Sequence, residues 1–88
     1  MNNYSAEILW YSFLLSFDSS DYQLLNNRGY LKTINAVKDG DRDLLESGIC
    51  DIELALKCFV SFHPSKVYDV GLGNLQTAKD LRLHIAIK

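Results

Sequence analysis

Two histidines, a run of carboxylates and a pair of glycines are the residues of this chain whose types and spacing could do chemistry. His63 and His84, with Lys57 close to the first, are the side chains that acid–base phosphodiester hydrolysis uses: one imidazole takes a proton, the other gives one. Nothing in their spacing makes them converge. They are also too far apart in sequence for a local metal motif, and no third ligand accompanies them. Arg82, His84 and Lys88 form one basic strip, but without interleaved aromatics it is a poor footprint for nucleic acid.

The acidic run KDGDRDLLE, residues 38–46, puts Asp39, Asp41 and Asp43 at the first, third and fifth positions of a calcium loop. Such a loop needs glycine at its sixth position and glutamate at its twelfth, where this chain has Leu44 and Cys50. The run reads instead as a solvated loop with a helix cap, or as an acidic rim offered to a basic partner. Gly71-Leu72-Gly73-Asn74 lacks the third glycine and the Lys-Ser/Thr pair of a phosphate loop and reads as a turn. No serine sits in a G-x-S-x-G elbow, and neither cysteine has a nucleophile's surroundings. The sequon Asn3-Tyr4-Ser5 carries no weight without secretion. No cofactor and no metal are expected.

These residues need a scaffold, and composition bounds it. Eighty-eight residues make one domain, 1–88, which buries roughly 60–65% of its unfolded surface. Hydrophobic residues make up 48%, with one Trp, five Tyr and four Phe, as in an ordered globular chain. The net charge of -2 argues against a nucleic-acid binder. On a strand, Cys50 and Cys58 would lie about 26 Å apart at roughly 3.3 Å per residue, beyond any disulfide. They suit small buried hydrophobes in a reducing compartment.

The stretch EILWYSFLLSF, residues 7–17, fits helix and strand almost equally. Its aromatic content tilts it to a strand with Leu9, Tyr11, Phe13, Leu15 and Phe17 on one face and Trp10 on the other. Cover by the domain on both faces is the leading expectation, and the alternative is that one face awaits a partner. It has no preceding Lys or Arg and no small-residue cleavage site, and it is shorter than the ~20 residues of a membrane helix. A cytoplasmic protein without a membrane segment is therefore expected. Residues 51–63 alternate strictly, with Ile52, Leu54, Leu56, Cys58, Val60 and Phe62 on one face, and predict a strand. Residues 80–88 alternate likewise, and 67–72 read as a shorter strand. Ser20-Asp21-Tyr22-Gln23 has the form of a capping box, with Ser20 as N-cap of a helix that Gly29 would stop. Asp41 could cap a second helical turn ending at Gly48. The expected fold is α+β: a three- to four-stranded, mainly antiparallel sheet with helix packed on one face.

A small apolar-rich domain without a coherent catalytic set favours a binding role. The leading expectation is a non-enzymatic inhibitor of the immunity or antitoxin type, blocking a partner protein that has a basic, nucleic-acid-handling surface. That comparison rests on size and charge alone. Its binding face would combine Asp39, Asp41, Asp43 and Glu46 with exposed Tyr22, Tyr30 or Tyr68. The alternatives are a homo-oligomeric scaffold, a homodimer in the simplest case, and a small hydrolase or nuclease using His63 and His84.

Overall fold

The computed structural model describes residues 4–87, without the side chains of Ala86 and Ile87; Asn3 of the sequon and Lys88 of the basic strip lie outside the described residues. It contains four helices and, among the described residues, no strand: α1 (Ser5–Leu15), α2 (Tyr22–Asp39), α3 (Arg42–Phe62) and α4 (Asp69–Ile87). The expected α+β fold is thus wrong. The domain is a small helical bundle.

The strongest strand expectation fails for an identifiable reason. Residues 51–62 lie within α3, whose buried positions are Leu45, Gly48, Ile49, Asp51, Ile52, Ala55 and Phe59. That spacing is the helical period of 3.6, and it begins upstream of residue 51, where the alternating pattern has no continuation. Three members of the supposed buried strand face, Leu54, Val60 and Phe62, are 45%, 53% and 59% exposed. The segments at 67–72 and 80–88 fail in the same way. From Asp69, α4 passes through Gly71 and Gly73 and turns Leu75, Ala78 and Ile85 toward the core. Leu83 of the alternating set is left exposed.

The centre of the bundle is an antiparallel hairpin of α2 and α3 joined by Gly40 and Asp41 alone. Gly40 ends α2 in the left-handed conformation, at φ 66°. The next amide, of Asp41, donates to the Ala36 carbonyl at 2.9 Å, the six-to-one bond of a Schellman stop. Asp41 then starts α3, its carboxylate accepting from the Leu44 amide at 3.0 Å. At the other end Asp21, one residue after the expected Ser20, caps α2 by accepting from the Gln23 and Leu24 amides, each at 3.1 Å.

Gly29 and Gly48 do not stop helices. They lie inside α2 and α3 where the two backbones touch: a Cβ on Gly29 would come within 2.6 Å of the Gly48 carbonyl oxygen, and one on Gly48 within 2.7 Å of the Gly29 oxygen. Around this contact Ala36, Leu45, Ile49, Ile52 and Ala78 form the main core, flanked by Leu44, Leu75 and Ile85. A second cluster of Leu15, Leu25 and Ala55, with Tyr22, Leu24 and Cys58, seats α1 on the hairpin.

One polar network crosses the three N-terminal helices. Arg28 donates to both Asp51 oxygens, from Nε and Nη2, each at 2.8 Å. Lys32 approaches Asp51 at 3.0 Å and donates to the Ser47 hydroxyl at 2.9 Å. The Arg28 Nη1 donates to the Ser12 hydroxyl of α1 at 3.1 Å. Asp51 is buried, so its charge is tolerable only because two cations and their hydrogen bonds surround it. The free thiols Cys50 and Cys58 are eight residues apart on one helix, about 12 Å along its axis at 1.5 Å per residue, still beyond a disulfide.

Candidate functional site

A run of exposed aromatic side chains in mutual contact lies on α1 and the turn that follows it. Tyr4, at the N-cap position before α1, makes no side-chain cap, and the Tyr4 amide donates to the Asn35 side-chain oxygen of α2 at 3.0 Å. At 100° per residue Ile8, Tyr11, Ser12 and Leu15 point toward the hairpin. Of the whole helix only Leu15 is buried. The opposite face carries Ala6, Leu9, Trp10 and Phe13, and Phe17 continues it through the right-handed turn at Ser16. Leu9 is 71% exposed, Trp10 59%, Phe13 53% and Phe17 76%.

These rings already touch one another. Trp10 stacks on Phe13 with centroids 5.7 Å apart, and Phe13 meets Phe17 edge to face at 5.1 Å. Both are favourable aromatic geometries, so the three side chains form one continuous apolar stripe. The expected strand is corrected here: the run is a helix, and one of its two apolar faces is open rather than covered by the domain.

A second aromatic group closes the end of the bundle where α2 starts, α3 stops and α4 begins. Phe59 stacks on Tyr68 at 4.8 Å, and Tyr22 meets Phe59 and Tyr68 edge-on at 5.1 and 5.3 Å. Burial raises the Tyr68 phenol above its ordinary pKa; nearby Tyr22 and Asp21 add to the rise, and a hydrogen bond with Asn26 opposes it. His63 lies against Phe59, and its Nε2 is 3.5 Å from the Tyr22 hydroxyl. Beside this group a groove of about 450 Å³ is lined by Asp18, Ser20, Asp21, Tyr22, Gln23, Phe62 and His63. Its two carboxylates are occupied by local backbone: Asp21 is the α2 cap, and Asp18 accepts from the Ser20 amide and hydroxyl at 3.1 and 2.9 Å.

The residues singled out in the sequence are distributed between the two ends of the hairpin. Tyr22 and Tyr68 belong to the aromatic group, and Tyr30 is partly exposed midway along α2. Asp39, Asp41 and Asp43 are exposed at the hairpin tip, seventeen residues from Tyr22 in the case of Asp39, about 26 Å along α2 at 1.5 Å per residue. The Asp41 carboxylate serves as a cap, and Glu46 pairs with Arg82 of α4 at 2.9 Å. Acidic and tyrosine elements therefore do not share one face. Nor do the histidines meet: His84 is exposed fifteen residues along α4 from Asp69, about 22 Å from the end where His63 sits. Among the described residues, no three His, Cys, Asp or Glu side chains gather as a metal-holding group, and no helix is long and apolar enough to cross a membrane.

Leu9, Phe13 and Phe17 were expected in the core, and Trp10 with Ile8 and Leu14 stood out in the sequence as the unusual part. A signal was present: a helix apolar on every side needs cover on every side, and a chain of this length has few elements to supply it. Comparison with known proteins returned no match to a family model, a curated protein or a solved structure.

Proposed function

We propose that this chain is a small protein-binding domain that acts by occupying a partner's surface, and that the outer face of α1 is its docking surface. One observation carries the reading: Trp10, Phe13 and Phe17, with Leu9 beside them and each more than half exposed, make an apolar stripe along α1 and the turn that follows it. Contiguous apolar patches of this kind are uncommon on monomers and mark interaction sites, and Trp and Phe are residue types enriched in binding hot spots. Such a domain works through coverage and without chemistry of its own, whether the surface it covers belongs to a target that it inhibits or to another copy of itself. The exposed Asp39 and Asp43 at the far tip would then speed encounter with a basic partner and add little affinity. Two free thiols suit a reducing compartment such as the cytoplasm.

The test is photo-crosslinking in the cell that makes the protein. A benzophenone side chain replaces Phe13 in one variant and exposed Lys79 of α4 in another. The expected result is one discrete adduct from position 13 and none from position 79. No adduct from position 13, or the same smear from both, overturns the reading.

A further inference from the structure

The docking role of α1 leaves its occupant open, and from the shape of the stripe we infer that the occupant is a second copy of this chain, paired through α1 about a two-fold axis. The inference rests on that docking role and adds the partner's identity and the register of contact.

The residue order on the exposed face is self-complementary. Place two copies of α1 antiparallel with the axis between residues 11 and 12. Trp10 then meets the partner's Phe13, and small, exposed Ala6 meets the partner's Phe17. Large side chains face large ones at the centre, and the most protruding ring finds the smallest residue at each end. Contacts are reciprocal, as an isologous interface requires. The only charged residue of α1, Glu7, meets the partner's Ser16, so no like charges are brought together. The helix dipoles also run in opposite directions.

Fully covered, the stripe just reaches the area that a specific interface needs. At about 150–250 Å² per aromatic side chain, the exposed fractions of Trp10, Phe13 and Phe17 offer about 280–470 Å². Leu9 brings each copy to about 500 Å² and the pair to about 1,000 Å², the floor for a specific interface. A membrane surface fits less well. Interfacial helices place Lys and Arg along their polar flank, whereas α1 has neither; its one charged residue is Glu7, and Arg28, which reaches Ser12 from the hairpin side, is paired with Asp51.

Sedimentation equilibrium with a compensating pair of substitutions tests both identity and register. At roughly 100 µM, above the micromolar dissociation constant accessible to a small interface, the wild type should weigh twice the 10.0 kDa of one chain. Ala6→Phe should shift the protein to monomer by setting two rings against each other. Phe17→Ala should weaken pairing at least tenfold. The double variant, Ala6→Phe with Phe17→Ala, should recover the dimer, because large and small have only exchanged places. Both positions are exposed in the single chain, and unchanged helical circular dichroism will show that each variant folds. A monomeric wild type overturns the inference; the docking role then survives only if position 13 crosslinks a different protein, and falls with it if position 13 crosslinks nothing. A dimer indifferent to all three variants also overturns it, since copies then meet elsewhere.

Discussion

Replacing glycine with alanine should change stability in opposite directions at different sites in this one small protein, and the sign at each site follows from what the new methyl group meets. Gly73 is helical, exposed and has nothing within 4 Å of a built Cβ. There the only effect is the better helix propensity of alanine, a gain of about 0.5–1 kcal/mol. At Gly29 the same gain is opposed by a clash with the Gly48 carbonyl oxygen at 2.6 Å, where ordinary contact begins at 3.4 Å. The obstacle is backbone and cannot rotate away, so α2 and α3 must part by about 0.8 Å, enough to forfeit a quarter to a half of the dispersion between the atoms they press together. Overpacking of this kind costs about 1–3 kcal/mol, and strain against a fixed carbonyl belongs at or above the upper end. The net expectation for Gly29→Ala is a loss of about 2 kcal/mol. In urea unfolding, with a slope of about 1 kcal/mol per molar, the midpoint should fall by about 2 M while that of Gly73→Ala rises by about 0.5–1 M. Gly48→Ala should resemble Gly29→Ala. The double variant should cost less than the sum, because one separation relieves both clashes. A Gly29→Ala midpoint that rises alongside Gly73→Ala would refute the close-contact argument.

Asp51→Asn removes the only carboxylate facing Arg28 and Lys32 in the polar network and leaves two cations side by side. Arg28 and Lys32 retain some solvent exposure, so the expected cost is about 2 kcal/mol, less than the 3–5 kcal/mol of a fully buried pair. Thermal unfolding should fall by about 8–16 °C, and a change below about 4 °C would mean that the network contributes little. Tyr68 should ionise above its ordinary value in a spectrophotometric titration, and Tyr68→Phe should remove that late step. Because the folded state holds this proton more tightly than the unfolded state, its contribution to stability is present below about pH 10 and is lost as pH rises through the raised value. A Tyr68 that ionises at or below the ordinary value would contradict the buried aromatic arrangement.

Much of the punctuation of this fold was legible in the sequence, and the elements between were not. Asp41 as a cap is where the residue types placed it, and the capping region around Ser20 and Asp21 was off by one residue. Local side-chain-to-backbone hydrogen bonds depend on neighbours in sequence, so they can be read there. Gly29 and Gly48 were misread as stops because a glycine has two uses in helical proteins. The second, close approach to another backbone, depends on a partner helix distant in sequence. Residues 51–63 misled in another way: alternation is a valid strand signal, but every second position of a long apolar helix also includes members of its buried stripe, and Ile52 satisfied both templates. An open face on the first apolar run was legible as an alternative, and it was outweighed by the tendency of large apolar side chains to be covered within their own chain, which has many exceptions.

The two-residue connection through Gly40 and Asp41 has a kinetic consequence. Helices joined so closely meet after closing a short loop, and domains dominated by such local contacts fold quickly. The α2–α3 hairpin is therefore the natural nucleus, with α4 following it. Helix α1 buries only Leu15 and is tied to α2 through Arg28, Ser12 and the Asn35 bond to Tyr4. It should be the last piece to dock and the first to open, with amides that exchange with solvent sooner than those of the hairpin. During those openings the stripe of Trp10, Phe13 and Phe17 would be joined by Leu15, so the proposed partner on α1 would protect the chain from aggregation as well as complete its surface.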